Sequence, residues 1–109
     1  MAYDEGLAQR VRERLEERRG ITEKKMFGGL CFLVNGNMCF GILGEELMLR
    51  VGQSAYADCL ALPHTREMDF TGRAMKGMVY VSPPGFESDG DLAAWLERGL
   101  VFAESLPSK

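Results

Sequence analysis

The dipeptide Asn35-Gly36, placed between two apolar runs, restricts the possible folds of this chain more than any other feature. The flanking runs cover residues 26–34 and 38–43. Asn-Gly in this position is a strong signal for a two-residue β-hairpin, because a type I′ turn needs positive φ at both central residues. A third apolar run at residues 47–51 follows a turn at 44–46. The pattern therefore predicts a three-stranded antiparallel meander.

The hairpin has apolar residues on both of its predicted faces. With a two-residue loop, the predicted cross-strand pairs are Leu33 with Met38, Phe32 with Cys39, and Cys31 with Phe40. One face then carries Leu30, Phe32, Val34 and Leu43, and the other carries Cys31, Leu33, Met38, Phe40 and Ile42. Both faces need cover, either by helices on each side or by helices on one side and a second protomer on the other. Cys31 and Cys39 lie on opposite faces in this register and cannot form a disulfide.

Helices are predicted at both ends of the chain. Residues 3–19 place Leu7, Val11 and Leu15 on one stripe of an otherwise charged segment, and Gly20 is the predicted C-cap. Near the C-terminus, Asp89 or Asp91 is expected to cap a second amphipathic helix. The apolar stripe of that helix consists of Leu92, Trp95, Leu96 and Leu100.

The middle of the chain predicts a short helix and two further strands. Ser54 is the predicted cap of a helix that ends near residue 61 or 62, before Pro63. An irregular strand is expected within residues 67–77 and a short strand at residues 78–81. The predicted order is α-β-β-β-α-β-β-α. We therefore expect one α+β domain over residues 1–109, with a mainly antiparallel five-stranded sheet and flanking helices.

The charge balance argues against autonomous DNA binding. Thirteen basic and sixteen acidic side chains give a net charge of −3. Proteins that bind duplex DNA by neutralising phosphates usually carry a basic excess. The arginines of the first predicted helix alternate with carboxylates, a pattern typical of a solvated helix with local ion pairs. We expect no specific binding of duplex DNA by this chain alone.

The sequence also predicts the cellular compartment and the state of the cysteines. The N-terminus has no apolar signal segment, and no apolar run approaches the roughly 20 residues that span a bilayer. We expect a cytoplasmic protein without membrane contact, in which Cys31, Cys39 and Cys59 are free buried thiols. Their spacing relative to His64 does not fit a zinc site, so neither a metal nor another cofactor is expected.

No catalytic constellation is recognisable in the sequence. The single histidine, His64, follows Pro63 in a predicted turn, and no nucleophile-elbow or papain-like signature surrounds any serine or cysteine. The segment around Gly28-Gly29 has neither the spacing of a phosphate loop nor that of a dinucleotide fingerprint. The chain is therefore not expected to be an enzyme.

Two clusters combine basic side chains with glycines. Lys24 and Lys25 precede Gly28 and Gly29, and Arg73 and Lys76 lie in a second glycine-containing segment. Exposed glycine N–H groups next to basic side chains can bind a small anion or form a docking surface for a partner. These six residues are the candidate binding residues. Under the alternative interpretation, the glycines serve turns or close backbone approaches and the basic side chains are simply exposed.

The order of several short motifs resembles the N-terminal domain family of the competence regulator TfoX, also called Sxy. These motifs are Lys25-Met26-Phe27-Gly28-Gly29, Val34-Asn35-Gly36, Leu49-Arg50-Val51-Gly52, the segment from Met68 through Gly72-Arg73 to Val81, and the segment from Trp95 to Pro107. The resemblance covers nearly the whole chain. It implies an α+β domain with a curved antiparallel sheet, in a stand-alone form without the C-terminal domain of the regulators. It implies no catalytic residues.

The residues and the resemblance together favour a non-enzymatic bacterial regulatory module that works through protein contacts. The partner is expected to be another protein or a second copy of the chain, because an uncovered apolar sheet face would favour a homodimer. The alternative is a small anionic-ligand or nucleotide-binding domain that uses the two basic clusters.

Overall fold

The computed structural model describes residues 3–26, 28–68 and 77–107. The elements are α1 (Glu5–Leu15), β1 (Ile21–Met26), β2 (Gly29–Val34), β3 (Asn37–Leu43), β4 (Glu46–Arg50), α2 (Gln53–Leu60), β5 (Thr65–Glu67), β6 (Met78–Val81) and α3 (Asp89–Glu104). The strands form one antiparallel sheet in the order β1-β2-β3-β4-β6-β5. The predicted α+β class is confirmed. The sheet has six strands rather than the predicted five.

The additional strand is β1, which forms one edge of the sheet. Its first and last residues are half-buried, and the four between them are exposed. Such a segment carries no apolar alternation that would mark it as a strand. The segment is a strand because it pairs with β2, with Lys24 opposite Cys31 and Lys25 opposite Leu30. The predicted run at 26–34 therefore contains the last residue of β1, Gly28 in a turn, and the whole of β2.

The Asn35-Gly36 hairpin is confirmed, but its register changes within two residues of the turn. Asn35 and Gly36 have φ values of 53° and 85°. Leu33 lies opposite Met38 as predicted, and the register then shifts so that Phe32 lies opposite Phe40. The predicted pairs Phe32 with Cys39 and Cys31 with Phe40 are therefore wrong. Cys39 is the extra residue of a β-bulge, a feature that depends on packing rather than on the turn dipeptide.

The bulge changes which residues share a face. Phe32 and Phe40 now lie on the same side, with their ring centroids 5.5 Å apart. The face towards the helices buries Leu30, Phe32, Val34, Cys39, Phe40 and Ile42 from this hairpin. The opposite face contains a second cluster formed by Cys31, Met48, Met68, Met78 and Tyr80, with Met26, Met38 and Leu43 packed against it. Phe40, Ile42 and Leu43 were thus predicted on the wrong faces, while the placement of Cys31 and Cys39 on opposite faces is confirmed.

The second face does not form the exposed apolar patch that the sequence suggested. The five residues at the centre of its cluster are at most 7% exposed within a single chain. The expectation of a homodimer rested on a solvent-exposed face. The described residues of this face provide no such surface.

Helix α1 begins two residues later than predicted and ends four residues earlier. The Asp4 carboxylate accepts hydrogen bonds from the backbone N–H groups of Gly6 and Leu7 at 2.8 and 3.2 Å. The helix ends at Leu15 rather than at residue 19 because the chain must turn into β1. Gly20, the predicted C-cap, has a φ of 77° and instead adjoins the hairpin, where its carbonyl accepts from the Asn35 N–H.

The other two helices differ from the predictions at their N-caps. Gly52, not Ser54, precedes α2. The Ser88 hydroxyl, not Asp89 or Asp91, caps α3 by accepting from the backbone N–H of Asp91 at 3.1 Å. The predicted stripe Leu92, Trp95, Leu96 and Leu100 is buried against the sheet. None of the helices in the described part of the chain is long and apolar enough to cross a membrane.

Strand β6 has the predicted bounds, whereas the predicted strand within residues 67–77 is only partly described. The observed strand β5 ends at Glu67, and residues 69–76 lie outside the described residues. The Pro-Pro-Gly segment after β6 forms a 3₁₀ turn at Pro83–Phe86, which leads into α3.

Candidate functional site

The first basic cluster does not present a single surface. Lys24 and Lys25 are both exposed in the middle of edge strand β1. Because neighbouring residues of a strand point to opposite faces, Lys25 lies on the helix side and Lys24 on the other side. Their cross-strand partners agree, since Leu30 belongs to the helix-side cluster and Cys31 to the second cluster. Exposed lysines on an edge strand also discourage pairing with another sheet.

The two glycines of this cluster have structural roles. Gly28 lies in the turn between β1 and β2 with a φ of 76°, and a Cβ there would contact nothing. Gly29 begins β2, where a Cβ would collide with the carbonyl oxygen of Ile42. These roles correspond to the alternative interpretation, a turn and a close backbone approach. Arg73 and Lys76, the other two candidate residues, lie outside the described residues.

The three cysteines are free and buried. Burial raises the pKa of Cys31 to about 11 and that of Cys39 to about 12. Burial also raises the pKa of Cys59, although the nearby Arg98 guanidinium opposes this effect. A nucleophilic thiol needs a lowered pKa, so these thiols are poorly suited to catalysis. Among the described residues, no group of three or more His, Cys, Asp or Glu side chains is arranged to hold a metal ion.

A large open groove lies between α2 and α3. Its volume is about 650 Å³. It is lined by Val51, Ser54, Ala55, Ala94, Glu97, Arg98, Val101, Phe102 and Ser105. Val101 is the one exposed large apolar side chain in the described part of the chain, with 59% of its surface accessible. An exposed apolar side chain within an apolar depression is typical of a binding surface.

A second depression extends this groove towards the start of α3. It has a volume of about 390 Å³ and shares Ala94 and Arg98 with the first. Its other lining residues are Leu62, Pro63, His64, Pro84, Gly85, Asp91 and Trp95. His64 has a φ of 67°, an uncommon backbone conformation for a residue other than glycine. The two depressions adjoin at Ala94 and Arg98 and are together called the α3 groove below.

Close packing around Gly52 shapes the floor of the α3 groove. Gly52 has a φ of 85°, and a Cβ at this position would lie 2.5 Å from the ring of Phe102. The missing side chain allows Phe102 to pack over the start of α2. The Arg50 guanidinium lies 5.2 Å from the centroid of the same ring. The floor is therefore an aromatic ring held between a glycine and a guanidinium.

Arg98 occupies the middle of the α3 groove. Its guanidinium carbon lies 5.5 Å from the centroid of the Trp95 ring, and Nη1 is 3.7 Å from the Cys59 sulfur. Trp95 is fixed in turn, because its Nε1–H donates to the Gly85 carbonyl at 3.0 Å. Among the described residues, no carboxylate lies within ion-pair distance of Arg98 or Arg50. Glu97, which also lines the groove, is paired with Arg18 at 3.1 Å.

The sequence analysis did not identify the α3 groove. Four of its lining residues on α3 and at the C-cap recur every three or four positions beside the buried stripe, namely Ala94, Arg98, Val101 and Ser105. The one sequence feature that pointed to the groove was Val101, an apolar residue of α3 that lies outside the buried stripe. A lone exposed valine is common, so the signal becomes meaningful only when α2 is seen to lie opposite.

Comparison with protein families gives an unambiguous result. The sequence matches the TfoX N-terminal domain over residues 13–103 of its 109 residues. The chain belongs to the TfoX N-terminal domain family. The match agrees with the resemblance seen in the sequence motifs, and it extends from the last turn of α1 almost to the end of α3. Among curated proteins, a search finds none that matches this chain.

The region matched by the TfoX N-terminal domain contains the whole sheet and all but one of the residues that line the α3 groove. The exception is Ser105 at the C-cap of α3. The groove is therefore part of the domain itself.

Proposed function

We propose that this TfoX N-terminal domain is a non-enzymatic regulatory module that docks a protein partner in the α3 groove. The observation that carries the proposal is the groove itself, an open and mainly apolar depression beside α3 with Val101 exposed in its wider part. The TfoX family is known from competence regulators, which supports a role in transcriptional regulation. The free thiols fit a reducing compartment, the bacterial cytoplasm.

The surface charges favour a protein partner over duplex DNA. Three arginines of the first helical region are engaged with carboxylates, since Arg10 pairs with Asp89, Arg12 with Glu23, and Arg18 with Glu97 and Glu104. The Glu23 carboxylate has a lowered pKa because it accepts hydrogen bonds from Arg12. Arginines held in this way are less available for phosphates, and the net charge of −3 would repel DNA.

The alternative role in binding a small anion has less support. Lys24 and Lys25 point to opposite faces of β1, so they do not contribute to one site together. Arg73 and Lys76, which that role also requires, lie outside the described residues. The apolar lining of the α3 groove also suits a protein segment better than a small anion.

Site-specific photo-crosslinking tests the docking role. A benzophenone amino acid replaces Val101 in the protein expressed in its native host, and Glu17, an exposed position just beyond the end of α1, serves as the matched control. We expect a discrete adduct of one protein from position 101 and none from position 17. Ala94→Glu, which introduces a charge into the groove, should abolish the adduct without lowering the Tm. Equal labelling from both positions would contradict the proposal.

A further inference from the structure

The α3 groove has the length and shape of a helix-binding channel. It follows α3 from Asp91 to Ser105, a rise of ~21 Å at about 1.5 Å per residue. This distance corresponds to a partner helix of about 14 residues. Small-molecule sites usually enclose most of the ligand surface, whereas both depressions of the α3 groove are open to solvent. Grooves of this kind typically bind the apolar face of an amphipathic helix.

The charges along the groove are unequal. In its wider part, the Glu97 carboxylate is already paired with Arg18, while the Arg98 guanidinium contacts only a ring and a thiol among the described residues. Arg50 and Asp58 do not line the groove. Arg50 lies behind Phe102, where it donates to the Met38 carbonyl at 3.4 Å. Of the two charged side chains that line this part, the one without an ion-pair partner among the described residues is therefore the positive Arg98.

The start of α2 adds to this positive character. Gly52 precedes the helix and provides no side-chain cap, so among the described residues no side chain accepts from the first N–H groups. Ser54 and Ala55 of this first turn line the groove. The positive end of the α2 dipole thus lies on the same side as Arg98. Asp91 lies at the opposite, narrower end, beside His64.

We infer that the occupant of the α3 groove is an acidic amphipathic helix of a partner protein. Its apolar face covers Val101 and Phe102, and a carboxylate on its flank pairs with Arg98. A guanidinium that is already held over Trp95 and beside Cys59 can accept a carboxylate with little further loss of side-chain freedom. The inference rests on the proposed docking function, since it names the chemistry of the segment that docks.

Titration of the ¹⁵N-labelled chain with two designed peptides tests this inference. Both are 14-residue amphipathic helices with the same leucines, and their flanking positions carry glutamate in one peptide and lysine in the other. The glutamate peptide should shift the amide resonances of Ala94, Arg98 and Val101. Its Kd should be roughly tenfold lower than that of the lysine peptide, as expected for one complementary charge pair at a groove.

Charge reversal provides the decisive variant. Arg98→Glu should reverse the preference so that the lysine peptide binds more tightly than the glutamate peptide. Arg98→Lys keeps the positive charge, so the glutamate peptide should still bind more tightly than the lysine peptide. Arg14→Glu changes the net charge by the same amount on the exposed surface of α1 and should leave the order intact. Val101→Asp should abolish binding of both peptides. Thermal unfolding of each variant verifies that it is folded, and Arg98→Gln replaces Arg98→Glu if that variant is not.

Three outcomes would overturn the inference. Equal affinity for the two peptides would show that the binding site has no preference for an acidic helix. Resonance shifts confined to another surface would show that the peptides do not bind in the α3 groove. Binding of sodium laurate at these amides, with neither peptide binding, would assign the groove to a small amphipathic carboxylate. A crosslink from position 101 that persists in any of these cases would leave the docking function standing, so the two proposals fail separately.

Discussion

Gly99 determines how closely α3 approaches the sheet. A Cβ at this position would lie 2.5 Å from the Cys39 carbonyl oxygen and 3.1 Å from the Phe40 ring. Glycine usually weakens a helix interior, and its presence here is explained by this contact. The bulge at Cys39 and the glycine therefore occupy the same point of the interface between helix and sheet.

Two glycines of α3 provide a matched test of this role. Gly99→Ala should lower the free energy of unfolding by about 1–3 kcal/mol, because the helix must move away from β3. Gly90→Ala, where a Cβ contacts nothing, should leave it unchanged or raise it by up to about 1 kcal/mol. Urea denaturation measures both variants. Equal stability of the two would show that α3 does not depend on Gly99 for its position.

The buried thiols predict a loss of stability at alkaline pH. An unfolded thiol has its ordinary pKa near 9, whereas burial raises the pKa of Cys39 to about 12. The unfolded chain therefore releases this proton first, so the stabilisation is complete below about pH 9 and declines as the pH rises towards 12. Urea denaturation should show that the free energy of unfolding falls between pH 8 and pH 10. The fall should be about 1 kcal/mol smaller in Cys39→Ala than in the unchanged protein. The same loss in both proteins would refute this role for Cys39.

At the scale of elements, local caps and turns set where each helix starts and where the hairpin folds back. Asp4 caps α1 and Ser88 caps α3, each through its own side-chain oxygen. Asp91 contributes only its backbone N–H to the cap of α3, so its carboxylate is expected to act through the helix dipole alone. The start of α3 matters for function, because this end of the helix borders the narrower part of the α3 groove.

Substitution of Ser88 and Asp91 distinguishes the two roles. Ser88→Ala should lower the free energy of unfolding by about 1 kcal/mol, because the Asp91 N–H loses its acceptor. Asp91→Asn should lower the free energy of unfolding by about 0.3–0.5 kcal/mol, since only a negative charge near the positive end of the helix dipole is lost. Chemical denaturation of both variants provides the comparison. A larger cost for Asp91→Asn would assign the cap to Asp91 instead.

At the scale of the whole molecule, the sheet is apolar on both faces and the two faces differ in composition. Helices α1, α2 and α3 pack on the face that contains Phe32 and Phe40. The other face collects methionines and Cys31 into a second buried cluster. Methionine side chains are unbranched and flexible, so they fill irregular space without a regular packing partner. The described surface retains one exposed large apolar side chain, Val101.

The burial of the second face leads us to expect a monomer in the absence of a partner. Light scattering at micromolar concentration should give the mass of one chain, 12.1 kDa. A larger mass that returns to 12.1 kDa in Val101→Asp would identify the α3 groove as a self-association surface. A larger mass that this substitution does not change would instead indicate association through another surface.

The sequence by itself determined the elements whose signals are local. Helix α1 follows from the spacing of Leu7, Val11 and Leu15, the hairpin from Asn35-Gly36, and the buried side of α3 from its apolar stripe. Each of these signals arises from residues a few positions apart, where backbone geometry links spacing to structure. The TfoX N-terminal domain family could also be recognised from the order of its motifs.

Only the tertiary structure decided the bulge at Cys39, the edge strand β1 and the α3 groove. The bulge reverses the faces of Phe40 and Ile42 because packing under the helices outweighs the simple register set by the turn. Strand β1 has few apolar residues and is a strand because β2 offers it hydrogen-bonding partners. The groove joins α2 to α3, segments roughly forty residues apart in the chain. No local pattern encodes such a distance, because it depends on where the sheet places both helices.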